Sequence, residues 1–387
     1  MLERHFNTPD RKSFRTATRL LSGRDSRLDL AGILPAGPVV LVADQRFSAS
    51  DLTHALRPAV TMIVSGEPSM RHIESLNATC AGLDAAAVVA LGGGSTIDTA
   101  KAVHCALCFS GDIPRDVERP APAPLLITVP TTAGSGSETS RFFILSDATG
   151  IKCAHRAWSF APDLAILDPA LLEASSSERL VLGAFDTFIH LWETLICRNE
   201  RAPFVDTLAF EGIGAIASAM MCLATGTPLG DEHFMGLQRA SAYGGYAISN
   251  TRTGLIHTLG ESLAPQTPLS HPETLYVFFS AALTHYAAGV AGDIKRLDRR
   301  LAALDGPSCD FEKLVDVWRT LFERLGITKR IADTLARVPV DTERLLTTAA
   351  RDVVLVKENP ALLTPAILRD MVTACLAHPS DARRETA

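Results

Sequence analysis

Little in this chain of 387 residues marks it for a membrane, a nucleic acid or an oxidising compartment. A helix needs about 20 largely apolar residues to cross a bilayer, and only two uncharged stretches come near that. Residues 212–230 are interrupted by Thr225-Gly226-Thr227-Pro228, and residues 276–292 contain His285 among small side chains. Both read as buried helices of a globular domain. The segment Met1-Leu2-Glu3-Arg4-His5 lacks the apolar core of a signal peptide, so a cytoplasmic location is expected. Basic residues are scattered and outnumbered, 37 against 43 acidic ones, for a net charge of −6. A nucleic-acid surface needs a concentrated basic face, so none is expected. The eight cysteines are dispersed. Cys105 and Cys108 form one Cys-x-x-Cys with no second pair to complete a zinc ribbon, inside an apparent helix, and read as buried reduced thiols.

What is present is the composition of a folded protein, 47% hydrophobic and 21% charged, in a chain long enough for two cores. The first half alternates compact apolar runs with helical segments. Residues 38–43, 60–64, 85–91 and 125–130 read as strands, and this alternation predicts a parallel sheet covered on both faces. From about residue 178 the pattern turns amphipathic. Helices are expected over 177–197, 203–223, 233–247, 272–289, 311–325, 340–356 and 367–377, with no further strand. The boundary drawn is 1–177 for an α/β domain and 178–387 for an all-α domain, with a ligand cleft expected between them.

The third strand runs into Gly92-Gly93-Gly94-Ser95, and a helix begins at once. Missing Cβ atoms let backbone approach a pyrophosphate, whose charge suits free N–H groups at a helix N-terminus. The spacing is not the Rossmann Gly-x-Gly-x-x-Gly, and a simple strand-to-helix turn fits as well. A second polar turn, residues 130–138, follows the fourth strand. Its hydroxyls suit a ribose or a nicotinamide amide, and equally the cap of a helix. Asp44 ends the first strand, where a carboxylate accepts from ribose hydroxyls and repels a 2′-phosphate; a solvent-facing turn aspartate is the plain alternative.

Asp186 and His190 stand at i and i+4, on one helical face. His257 and His271 follow, fourteen residues apart. Three imidazoles and one carboxylate suit Zn²⁺ or Fe²⁺, although most of the 11 histidines have no reason to be ligands. No Ser/His/Asp arrangement for nucleophilic catalysis stands out.

In order, Gly-Gly-Gly-Ser-x-x-Asp-x-x-Lys at 92–101, Pro-Thr-Thr-Ala-Gly-x-Gly-Ser-Glu at 130–138 and Asp-x-x-x-His-x-x-Glu at 186–193 resemble the iron-containing (group III) alcohol dehydrogenases. The spacing of His257 and His271 and the late Asn359-Pro360-x-x-Leu363-Thr364 resemble that family too, over about residues 38–377. The resemblance implies a dinucleotide-binding α/β domain joined to a helical metal domain, the dehydroquinate synthase-like fold. It implies that Gly92, Gly93, Gly94 and Ser95, with Asp98 of the same motif, bind the cofactor, that Thr131, Thr132 and Ser135 approach the nicotinamide half, and that Lys152 reaches the ribose; Asp44 joins the cofactor set from its place at the strand end. It also implies Asp186, His190, His257 and His271 as ligands of one divalent ion, and alcohol–aldehyde interconversion with a nicotinamide cofactor; the Asp44 carboxylate favours NAD(H) over NADP(H). A homodimer is the first expectation for its assembly, and a small aldehyde or alcohol its partner.

Three positions depart from the family pattern. Glu261 stands where many relatives have a second histidine, His271 is followed by Pro272 rather than glycine, and Ser175-Ser176-Ser177 replaces a proline-rich helix entry. Glu261 therefore reads as a proton relay or as pocket wall. Residues 249–254, with Arg252, resemble the Thr-Arg-Thr segment of phosphonoacetaldehyde reductases. A guanidinium there matches a phosphonate or carboxylate, or pairs with a structural acid. The expected reaction is reduction of a small aldehyde, best matched by phosphonoacetaldehyde. A maleylacetate reductase-like enzyme or a non-catalytic binding protein on the same scaffold are the alternatives.

Overall fold

The computed structural model describes residues 13–66, 79–80, 82–109, 113, 118–146, 152–198, 201–304, 309–350 and 359–377. Eight strands are assigned among the described residues: β1 (Arg19–Ser22), β2 (Val39–Asp44), β3 (Val60–Val64), β4 (Ala87–Gly92), β5 (Leu125–Pro130), β6 (Phe142–Ser146), β7 (Lys152–Arg156) and β8 (Leu164–Leu167). Six form one sheet in the order β1-β8-β5-β4-β2-β3, with every pair parallel. The remaining two, β6 and β7, form an antiparallel hairpin.

The central strands read as unbroken apolar runs because both of their faces are covered. Along β2, Val40 and Val42 join one core with Val88, Ala90 and Leu126. Val39, Leu41 and Ala43 point the other way and pack with Val89, Leu91 and Ile127. The short helices α1 (Leu30–Ile33) and α2 (Asp51–Leu56) and the longer α3 (Gly94–Cys108) follow their strands, and α4 (Ala170–Glu173) follows β8.

The remaining helices are α5 (Ser177–Ile196), α6 (Pro203–Thr225), α7 (Asp231–Asn250), α8 (Leu255–Leu263), α9 (His271–Leu301), α10 (Phe311–Arg324), α11 (Ile327–Arg337), α12 (Thr342–Ala350) and α13 (Pro365–Ala377). No strand occurs beyond residue 167 among the described residues, as the pattern predicts. Helix α9 runs twelve residues past the expected end at 289. Helices α6 and α9 are long and apolar enough to cross a membrane by length and composition alone. Both pack against α5.

The chain divides into two compact units. One comprises Arg15–Ser176 with Gly230–Ser249, and the other is built mainly from Ser177–Leu229 and Asn250–Ala387. A boundary at 177 therefore leaves helix α7 with the wrong neighbours in sequence, since it packs with the sheet. Tyr246 donates to Thr18 O at 2.6 Å, Thr139 donates to Ala242 O at 2.6 Å, and Gln238 donates to Pro130 O at 3.3 Å. Gly245 and Gly136 bring the two backbones together; a methyl on Gly245 would overlap Gly136 O and Thr139 Oγ1. Gly136 has φ of +65°, so it also supplies the left-handed turn.

Candidate metal and cofactor sites

In the sheet unit the two polar turns leave the carboxyl ends of neighbouring strands, since Gly92 of β4 pairs with Pro130 of β5. This is the edge of a parallel sheet where ligands bind. The turns touch: a Cβ on Gly93 would sit 3.0 Å from Thr132 Oγ1, and one on Gly94 would sit 2.7 Å from Ser135 Oγ. Glycine thus allows their close approach, and it leaves the first turn of α3 open above. Gly93 and Gly94 are partly exposed and Ser95 is exposed. Thr131 is buried, and its hydroxyl has no hydrogen-bond partner.

Two expected cofactor residues are engaged by the protein itself. Both oxygens of Asp98 accept hydrogen bonds, Oδ1 from Ser137 Oγ and Oδ2 from Ile144 N at 3.0 Å. Asp44 ends β2 and accepts from Arg46, at 3.0 Å on each oxygen from Nε and Nη2. Despite its partial burial, the Arg46 hydrogen bonds hold the Asp44 carboxyl below its ordinary range. Lys152 opens β7, and its side chain lies outside the described set.

Beneath the glycine turn, Lys101 is fully buried and donates to Ser140 O at 2.8 Å, Ser140 Oγ at 3.1 Å and Phe142 O at 2.6 Å. Burial pushes its pKa down to about 8, against the attraction of Asp98 and Glu138. Lys101 and Asp98, one turn apart, tie α3 to the segment between the second polar turn and β6. Motif position had marked both residues, but only the structure gives them this clamping contact.

In the helical unit, Asp186 and His190 share a face of α5, and α8 and α9 bring in His257 and His271. The ligand atoms of Asp186, His190 and His257 lie within 4.8 Å of one another. Asp186 Oδ1 lies 3.8 Å from His190 Nδ1, 3.6 Å from His257 Nε2 and 3.6 Å from His271 Nε2. These separations exceed hydrogen bonds. They match the spacing of about 3.4 Å between ligands that sit about 2.1 Å from a tetrahedral ion. Asp186 Oδ1 and His257 Nε2 are buried and have no hydrogen-bond partner, which is costly unless a cation takes their lone pairs. Asp186, His190 and His257 therefore fit one divalent ion, and His271 Nε2 stands 3.6 Å from the same Asp186 oxygen.

Close approach of α8 and α9 depends on Gly260, where a Cβ would stand 2.6 Å from Leu275 Cδ2. Glu193, one turn beyond His190 and wholly buried, holds the other side of the site. Its Oε2 accepts from His257 Nδ1 at 2.7 Å and from Gly254 N at 2.7 Å, while Oε1 accepts from Ile256 N at 2.6 Å. Tyr286 Oη accepts from Leu255 N at 3.2 Å. Burial alone would lower the pKa of His257, but Asp186 and Glu193 raise it to about 10. Without a cation this imidazole keeps a proton between two carboxylates. The same histidines hold the carboxyl of Asp186 far below its ordinary range, against burial.

The flanking candidates occupy different positions. Glu261 follows one turn after His257 and is exposed, and Arg252 lies two residues before Gly254, partly exposed.

Residues 17–169 match the model of the iron-containing alcohol dehydrogenase family, and residues 180–376 match that family's C-terminal model. The chain belongs to the iron-containing alcohol dehydrogenase family. An alcohol dehydrogenase of Thermococcus barophilus is 30% identical over 281 residues, 69% of this chain and 70% of that protein. A sulfoacetaldehyde reductase of Bilophila wadsworthia is 28% identical over 281 residues, 69% of this chain and 71% of that one. The fold matches the crystal structure of a sulfoacetaldehyde reductase from Bifidobacterium kashiwanohense in complex with NAD+, with a TM-score of 0.77 at 20% identity, covering 95% of this chain and 99% of the other. This member of the family is accordingly a metal-dependent alcohol dehydrogenase or aldehyde reductase.

Glu193 is the functional residue that sequence reasoning left without a role. The family motif ends on it, yet its partner His257 lies 64 residues away, so only the folded chain reveals the contact.

Proposed function

We propose that this enzyme reduces a small aldehyde bearing an anionic head group, with phosphonoacetaldehyde the best match, using NADH in preference to NADPH. The observation that carries the chemistry is the gathering of the Asp186, His190 and His257 ligand atoms within 4.8 Å of one another, with His271 Nε2 3.6 Å from Asp186 Oδ1. Those four residues hold the divalent ion, Fe²⁺ or Zn²⁺. Once bound, the ion supplies Lewis acidity for a substrate oxygen.

The chain's own residues do the rest. Glu193 fixes the His257 ring so that Nε2 faces the other ligands. Gly92, Gly93, Gly94 and Ser95 let backbone meet the pyrophosphate, and Thr131, Thr132 and Ser135 take the nicotinamide half, with Lys152 at the ribose. Glu261, exposed one turn after His257, relays a proton from solvent to the substrate oxygen as the aldehyde is reduced. Arg252 anchors the anionic head, because a guanidinium matches a phosphonate, sulfonate or carboxylate in two-point fashion. The similarity to sulfoacetaldehyde reductases supports an anionic substrate.

A panel of phosphonoacetaldehyde, sulfoacetaldehyde, succinic semialdehyde, maleylacetate and propanal with NADH tests the reading. The expected order places the anionic aldehydes first. Arg252→Ala should weaken those selectively while metal content stays at about one ion per chain. Equal losses for propanal and the anionic aldehydes would remove Arg252 from that role. Preference for maleylacetate would favour a maleylacetate reductase-like enzyme, and no turnover across the panel would favour a binding protein on this scaffold.

A further inference from the structure

His271 differs from the other three residues of the metal site. It is the first residue of α9, and its side chain is 32% exposed, whereas those of Asp186 and His190 are 8% exposed and that of His257 only 1%. His257 is gripped by Glu193, and Asp186 and His190 sit mid-helix. The placement of His271 depends on how the start of α9 is held.

That start is built as a reciprocal cap. The Ser270 side chain meets the backbone of residue 273, and Glu273 Oε2 accepts from Ser270 N at 2.8 Å and from Ser270 Oγ. The two capping residues flank His271 and Pro272. Proline suits the first helical turn, where its missing N–H costs nothing and its φ is already helical. Glu273 is 4% exposed, so its charge requires compensation. Arg330 of α11 provides it: Nε donates to Glu273 Oε1 at 2.6 Å. The same guanidinium donates from Nη2 to Glu178 Oε1 at 2.6 Å. Glu178 lies in the first turn of α5, the helix that carries Asp186 and His190.

One arginine thus joins the starts of the two helices that bring three of the four residues to the site. We propose that Arg330, acting through Glu273 and Glu178, is a positioning residue for the metal site: it locks His271 into reach of the ion and thereby sets how long the metal is retained. The inference rests on the four-residue site proposed above. It gives a purpose to the His271-Pro272 step, which departs from the family's His-Gly. Proline and the capping box make a stiff helix start, which a glycine would loosen.

The test uses full-length protein loaded with Zn²⁺ and measures metal release to a chromogenic chelator, beside melting temperatures of loaded and metal-free protein. Two variants are informative. Arg330→Met keeps the aliphatic stem and removes the guanidinium. Glu273→Gln keeps an acceptor for Ser270, since glutamine serves in a capping box, but presents no charge to Arg330. Both should release metal about tenfold faster, the lower end of what loss of a supporting contact costs a metal site. Arg330→Lys should recover part of the difference. Metal-free melting temperatures should change much less than the loaded ones. Unchanged release rates would overturn the proposal, as would an equal fall in both melting temperatures with release unaltered, the outcome of a merely structural ion pair. His257→Ala serves as the control for the site itself. If that variant retains Zn²⁺ as firmly as the parent, the four-residue site fails, and this positioning role fails with it.

Discussion

The buried carboxylate of Glu193 accepts the Nδ1 proton of His257 at 2.7 Å while also receiving the N–H groups of Gly254 and Ile256. One side chain therefore fixes both the ring of a metal-site histidine and the helix that presents it. Glu193→Gln should lower metal affinity by about 10–100-fold, the usual cost of losing a carboxylate behind a ligating imidazole. Competition with a calibrated chelator reads this directly. An unchanged dissociation constant would show that the backbone contacts alone hold His257.

The raised pKa of His257, about 10, makes a prediction about pH. In metal-free protein the folded state binds this proton more tightly than the unfolded chain does. Its stabilisation is complete below about pH 6.5 and disappears as pH rises toward 10. Metal binding needs the neutral imidazole, so it strengthens over the same window. The gap in melting temperature between loaded and metal-free protein should widen steadily from pH 6.5 to 10. Lys101, depressed to about 8, acts in the opposite sense in both forms and cancels from the difference. A constant gap across that window would contradict the assignment.

Gly245 sits inside α7, where alanine would ordinarily add about 1 kcal/mol of helix stability. Here the added methyl overlaps Gly136 O and Thr139 Oγ1. Gly245→Ala should instead destabilise the protein by about 1–3 kcal/mol or more. Chemical denaturation monitored by circular dichroism gives the sign at once, and a gain in stability would mean that the contact relaxes freely.

Asp44 owes its neutral surroundings to Arg46, which grips both carboxylate oxygens. Arg46→Ala should free the negative charge and sharpen discrimination against NADPH by about fivefold, the worth of roughly 1 kcal/mol of Coulomb energy in water. Asp44→Ala should move the ratio the other way. Initial rates with both cofactors measure it, and an unchanged ratio in both variants would place the 2′-position away from β2.

The fold was legible wherever burial was two-sided. Strands β2, β4 and β5 are buried along most of their length and read as apolar runs. Strand β1 escaped notice because its four residues are largely exposed at the sheet edge, and β8 because it is equally short. In the hairpin of β6 and β7, the apolar run Phe142–Leu145 is only four residues long, and β7 begins and ends on Lys152 and Arg156. Asp186 and His190 were legible because helical periodicity joins them locally. The contacts of Glu193 with His257 and of Arg330 with Glu273 and Glu178 were not, since each spans more than 50 residues of chain. Nothing in local pattern connects them.

Helix α7 has a consequence for how the protein is made. The sheet unit needs residues 230–249, yet α5 and α6 must be synthesised before that helix emerges. At roughly 5–20 residues per second, the nascent sheet waits several seconds with the groups around Gly136 and Thr139 uncovered. A gene cut at residue 177 should therefore yield an unstable, aggregation-prone fragment. One that also supplies residues 230–249, joined by a short linker, restores the missing partner.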